Sequence, residues 1–131
     1  MGLSGYEVRA SIAVSDIARA RELYEGKLGL SPAEVQPEGS RVYPCGGGTS
    51  LHLYASPARA GSATATQATW YASDLEQLVD ELRSTGVTFE RYEDRSLKTD
   101  EKGIHELGGG GVAWFKHPDG NTFAIEQKEK P

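Results

Sequence analysis

The chain repeats itself, and the repeat limits what it can fold into. Ser15-Asp16 opens one helical pattern, and Ser73-Asp74 opens another 58 positions later. Leu51-His52-Leu53 closes the first half, and Phe123-Ala124-Ile125 closes the second, 72 positions later. The extra length falls in a polar connection, Glu93 to Gly111. Each half reads strand, helix, strand, strand, strand. A unit of that size cannot bury the apolar face of its own sheet, so the halves must pack together or against a partner chain. At 131 residues the chain makes one domain of common size. It divides into a first module over 6–55, a linker over 56–65 and a second module over 66–127.

Local patterns fill in the plan. From Val8 to Val14 the side chains alternate, with Ala10, Ile12 and Val14 on one face and Arg9, Ser11 and Ala13 on the other, as in a half-buried strand. Ser15-Asp16 supplies a helix N-cap and a first-turn acid. Ile17, Ala20, Tyr24 and Leu28 then recur at helical spacing before Gly29. Ala33 to Gln36, Arg41 to Tyr43 and Thr49 to Ala55 are strand candidates, the last with Leu51 and Leu53 opposite Ser50, His52 and Tyr54. In the second half Gln67 to Ala72 is a strand, and Ser73-Asp74-Leu75-Glu76 reads as a capping box. A stripe of Leu75, Leu78, Val79 and Leu82 ends at Gly86. Val87 to Tyr92, Val112 to Lys116 and Thr122 to Glu126 are predicted strands. The last two are joined by the turn His117-Pro118-Asp119-Gly120-Asn121, to which no chemistry is assigned.

Composition narrows the function classes. Fourteen basic against 19 acidic side chains give a net charge of −5, which disfavours nucleic acid and anionic membranes as partners. No apolar run approaches a membrane span, and Met1-Gly2-Leu3-Ser4 lacks the start of a signal peptide. A single cysteine, Cys45, fits a reducing cytoplasm. The glycines at 108–111 lack the helix and the Lys-Ser/Thr pair of a phosphate loop.

The doubled βαβββ unit, with the segments SIAVSDIARARELYEGKLGL, ATWYASDLEQLVDELRSTGV and AWFKHPDGNTFAIEQ, resembles the vicinal oxygen chelate superfamily. That family includes glyoxalase I, extradiol dioxygenases, fosfomycin-resistance enzymes and bleomycin-resistance binding proteins. Its closing hairpin usually reads Phe-x-Asp-Pro-Asp-Gly-Asn, and His117 replaces the first Asp here. The resemblance implies an α+β fold, in which the two modules form a cupped eight-stranded mixed sheet with a helix packed on each half. It also implies a homodimer.

In metal-dependent members of the family, four positions supply ligands. By the family's spacing, Arg9, His52, Gln67 and Ala124 hold those positions here. A guanidinium has no lone pair to give and a methyl group has no donor, so no metal and no other cofactor is expected. A shifted site of His52, Gln67 and Glu126 is the alternative. The candidate ligand-binding residues are Arg9, His52, Tyr54, Gln67, Tyr71, Trp114 and Glu126. Arg9 either meets an anionic or carbonyl group of a ligand or pairs with an acid such as Glu126. Tyr54, Tyr71 and Trp114 would form an aromatic wall, while Trp70 and Phe115 pack the core. His105 and Tyr92 lie beside the mouth, as a lid or as a solvated loop. The expected function is metal-independent binding of a small organic molecule, such as an antibiotic or metabolite. The alternatives are a lyase or isomerase with His52 as general base, and a glyoxalase-like or dioxygenase reaction at a shifted metal site.

Overall fold

The computed structural model describes residues 2–62, 65–93, 97–107 and 110–128. The first module runs β1 (Ala10–Val14), α1 (Ile17–Arg21), β2 (Glu34–Val35), β3 (Arg41–Pro44) and β4 (Ser50–Ala55). The second runs β5 (Thr66–Ala72), α2 (Leu75–Ser84), β6 (Ile104–Leu107), β7 (Gly110–Lys116) and β8 (Thr122–Gln127). Each module makes a four-stranded sheet, ordered β1-β4-β3-β2 in one and β5-β8-β7-β6 in the other. The β1–β4 and β5–β8 pairs are parallel, and the other pairs are antiparallel. The edge strands β1 and β5 touch, so the two mixed sheets stand side by side.

Alternation decides what is buried. Ile12, Val14, Leu51, Leu53 and Tyr43 of the first sheet share one cluster with Ala113, Phe115, Phe123 and Ile125 of the second. Leu23 and Tyr24 from the first helical segment and Leu75 and Val79 from α2 join it. Trp70 packs on Phe115 and Phe123, with ring centroids 6.2 and 5.6 Å apart, as its place in the pattern predicts. The helices cover one face of both sheets. The opposite face is the more open one, with Ser11 and Tyr71 exposed and His52, Tyr54 and Trp114 half-buried, while Val112, Thr122 and Ala124 on it are buried.

The first helix tightens and then widens. After Arg21 it continues as a π-helical turn over Glu22–Lys27, closed by Leu28 N–H on the Leu23 carbonyl at 2.8 Å. The wider turn carries Glu25 to a set of donors. It accepts from Arg41 Nη1 at 3.0 Å, Tyr43 Oη at 2.8 Å and Arg21 Nε at 3.0 Å. Burial pushes the Glu25 carboxyl up, but the hydrogen bonds from Arg21, Tyr43 and Arg41 outweigh it and hold the group below its ordinary range.

Three sequence expectations are corrected. Each helix is capped by its aspartate and not by the preceding serine: Asp16 accepts from Arg19 N–H at 3.3 Å and Asp74 from Gln77 N–H at 3.1 Å. No capping box forms at Ser73-Glu76; Gln127 Oε1 instead accepts the Leu75 N–H at 3.0 Å. Val87 to Tyr92 is not a strand, because β6 pairs with the first half of β7. A bridge from Phe89 to Phe115 and a bond from Glu90 N–H to the Trp114 carbonyl, 2.8 Å, are its backbone links to the other half. The second strand of that module, at the edge of its sheet, is Ile104–Leu107, inside the segment read as a polar connection.

The closing hairpin does more than turn. Asp119 accepts from the Ser15 N–H at 3.0 Å and from the Ser15 hydroxyl. Asn121 Nδ2 donates to the Ala13 carbonyl at 2.9 Å, and its Oδ1 accepts from Gly61 N–H at 3.2 Å. The second module thus holds both the end of β1 and the chain that links the modules. Gly61 has φ +67°, and a Cβ there would stand 1.6 Å from the Asp119 carbonyl oxygen, so glycine is required.

Candidate functional site

The open face has two chemically different halves. On the first sheet, Ser11 and Ala13 of β1 stand beside His52 and Tyr54 of β4, because parallel pairing aligns Ser11 with His52 and Ala13 with Tyr54. Ser11 Oγ lies 3.4 Å from His52 Nδ1. The His52 and Tyr54 rings stack at 5.8 Å. Two shallow recesses meet at Ser11. One, about 230 Å³, is lined by Arg9, Ser11, Glu34, Gln36, Val42 and His52 among others. The neighbouring one, about 350 Å³, includes Ser11, Ala13, Tyr54, Arg59, Gln67 and Asn121.

The second sheet presents rings. Trp114 on β7, half-buried, pairs across to the small Ala124 on β8. Tyr92 meets Trp114 edge-on at 5.7 Å, and His105 lies tilted against it at 6.2 Å. His105 Nδ1 is 2.7 Å from the Lys98 carbonyl, which orients the ring. Tyr71, 65% exposed, aligns with half-buried Glu126 on β8.

The sequence candidates are therefore scattered along the open face. Arg9 pairs with Glu34 at 3.7 Å, both largely exposed; the acid is Glu34, not Glu126. A bulge between Thr66 and Ala68 displaces Gln67 from the β5–β8 register. Gln67 is exposed, and its amide donates to the Ala65 carbonyl at 3.2 Å. His52 and Gln67 line adjoining recesses, and Glu126 lines neither. His105 sits in a strand, and both it and Tyr92 hold the Trp114 ring; neither is a solvated loop residue. Ser11 and Arg59 were missed. Ser11 could have been found, since it alternates with Ile12 and shares a face with Arg9. Arg59 lay in a segment with no periodicity to place it.

A divalent ion does not fit the positions the fold would offer it. They carry a guanidinium engaged with Glu34, an imidazole, an amide and a methyl group, which leaves two donors where four would be needed. Among the described residues no three His, Cys, Asp or Glu side chains gather in a cluster able to hold a metal ion.

The hairpin behind the face holds a buried imidazole. His117 is 3% exposed, and its Nδ1 accepts from the Asp119 N–H at 3.0 Å. Burial lowers the His117 pKa more than Asp119 raises it, and Arg19 lowers it further, so the ring is neutral. Its Nδ1 also lies 3.2 Å from Asp119 Oδ2. That contact is an ion pair only in the protonated ring, which burial disfavours. Burial raises the Asp119 carboxyl, but the Ser15 hydrogen bonds prevail and hold it below the usual range. Tyr24 lies beside His117 at 5.5 Å, and burial pushes its phenol far up.

Comparison with known proteins places this arrangement. The model of the Glyoxalase/Bleomycin resistance protein/Dioxygenase superfamily matches residues 8–125. Among solved structures, TnmS3, an antibiotic binding protein from Streptomyces sp. CB03234, is 23% identical with a TM-score of 0.68, over 95% of this chain and 98% of that one. A bleomycin resistance determinant encoded on the transposon Tn5 is 19% identical with a TM-score of 0.70, over 95% and 99%. A bleomycin-binding protein complexed with bleomycin is 20% identical with a TM-score of 0.68, again over 95% and 99%. At these identities the likeness establishes a shared fold. No curated protein matches the chain. Among the described residues, no helix is long and apolar enough to cross a membrane.

Proposed function

This chain belongs to the Glyoxalase/Bleomycin resistance protein/Dioxygenase superfamily, and on that premise we propose that it binds a small organic molecule with a flat ring, an antibiotic or a metabolite, without a metal. The observation that carries the reading is the Trp114 ring, held by Tyr92 and His105 over the small Ala124 on the open face. Aromatic faces of this kind take planar ligands by offset stacking. On the same sheet Tyr71 and Glu126 supply a second ring and a carboxylate, and on the neighbouring sheet Arg9, His52, Tyr54 and Gln67 line recesses that supply polar partners. The domain comprises the modules 6–55 and 66–127 joined by 56–65. It works as a homodimer in a reducing cytoplasm, where Cys45 stays a thiol.

The two tryptophans make the test direct. Trp70 is half-buried against the core, beside Phe115 and Phe123, and Trp114 is half-buried on the opposite face. Titrating bleomycin and planar polycyclic antibiotics should quench fluorescence saturably in the native chain and in Trp70→Phe, but not in Trp114→Phe. If no planar compound quenches, or quenching survives Trp114→Phe, the reading fails. A second reading makes His52 a general base, and the Ser11–His52 contact on the open face favours it. It requires a turnover that His52→Ala abolishes while ligand binding persists.

A further inference from the structure

We propose that the covered side of the fold carries a second site, a groove for a phosphate-class oxyanion. The groove has a volume of about 320 Å³ and lies between the first helical segment, the chain after α2 and the end of the closing hairpin. Arg19, Lys27 and Lys116 line it, together with Glu22, Thr88 and the apolar Leu23. A chain with five more acids than bases thus concentrates three cations in one concavity against one lining carboxylate.

Two of the cations, Lys27 and Lys116, are held in position. Among the described residues, neither Arg19 nor Lys27 makes an ion pair. Lys116 pairs with Glu90 at 3.2 Å, and the nearby Asp119 is taken by Ser15. The π-helical turn ends at Lys27, whose stem crosses Gly86: a Cβ on Gly86 would stand 3.3 Å from the lysine Cε. The Thr85 hydroxyl donates to the Lys27 carbonyl at 2.8 Å, fixing the backbone beneath that stem. A guanidinium and two ammonium groups around a concave site match an oxyanion with several acceptor oxygens, the guanidinium by its fork of donors. Leu23 and Val87 give the floor an apolar strip, suited to the organic part of a phosphate monoester.

The test is calorimetric titration of the full chain with inorganic phosphate and with phenyl phosphate at low ionic strength, paired with amide NMR. One saturable site is expected, with shifts confined to Gly86, Thr88, Lys116 and their neighbours. Arg19→Gln and Lys27→Gln should each weaken binding by about tenfold, as loss of a charge-assisted contact does. Lys128→Gln, an exposed cation outside the groove, should leave it unchanged. Tighter binding of phenyl phosphate identifies an ester as the ligand class; equal binding identifies free phosphate. Absence of saturation, shifts spread over the whole surface, or an equal loss in Lys128→Gln would overturn the proposal.

Discussion

Replacing Asp119 with alanine should loosen the joint between the modules by an amount the geometry allows to be worked out. The carboxylate is 11% exposed and takes two bonds from Ser15, one from the N–H at 3.0 Å and one from the hydroxyl. Hydrogen bonds to a charged group contribute about 1.5–3 kcal/mol, less with partial solvent access, and the orphaned Ser15 N–H adds a desolvation cost. The sum is about 2–4 kcal/mol, and for a domain of this length that lowers Tm by roughly 10 °C. Ser15→Ala removes only the hydroxyl bond and should cost about 1–2 kcal/mol. In the Asp119→Ala background the same change should cost little, because its partner is already gone. Urea unfolding of the native chain, both single variants and the double variant therefore forms a cycle. A coupling energy of about 1 kcal/mol is expected; additivity within about 0.5 kcal/mol would refute the clasp, since independent sites add to that precision.

Stability should fall with pH in two windows. The buried His117 resists protonation, so below its ordinary value of 6.5 the unfolded chain takes up a proton that the folded chain refuses, and stability declines toward the lower folded value. Asp119 contributes above the ordinary 3.8, and that share is lost as pH drops through its depressed folded value; denaturant midpoints across pH should show His117→Gln erasing the upper window only. Glu25→Ala strands the buried Arg41 guanidinium, with its side chain 8% exposed, and should cost about 3 kcal/mol by urea titration. Gly103→Ala should cost more than about 1 kcal/mol: φ is +89°, and a Cβ would meet the Glu90 carbonyl oxygen and the Phe89 Cβ, each at 2.9 Å. A Tm unchanged in Gly103→Ala would show that the loop gives way.

The fold was legible because its signals are local and doubled. Alternation around Ile12 and Leu53 and the helical stripe through Leu75 and Val79 placed strands and helix within a residue or two. The β6 strand was not legible. Ile104 to Leu107 has one apolar-polar alternation, too short to stand out from the polar chain around it, while Val87 to Tyr92 looks like a strand but finds the edge of β7 already half taken. At the site, facing could be read but distance could not. His52 and Trp114 point to the open side as their alternation requires, yet nothing in the spacing shows that a bulge displaces Gln67 or that Glu34 reaches Arg9. The hairpin was read for its turn chemistry alone, because its partners, Ser15, Ala13 and Gly61, are between 60 and 108 positions away.

The divided border of β7 has a consequence for the chain in company. One short strand occupies half of its outer rim, and the Phe89–Glu90 crossing seals the remainder. A stray polypeptide seeking to pair with β7 itself would have to evict two separately anchored segments at once, which guards that ribbon against templated self-assembly.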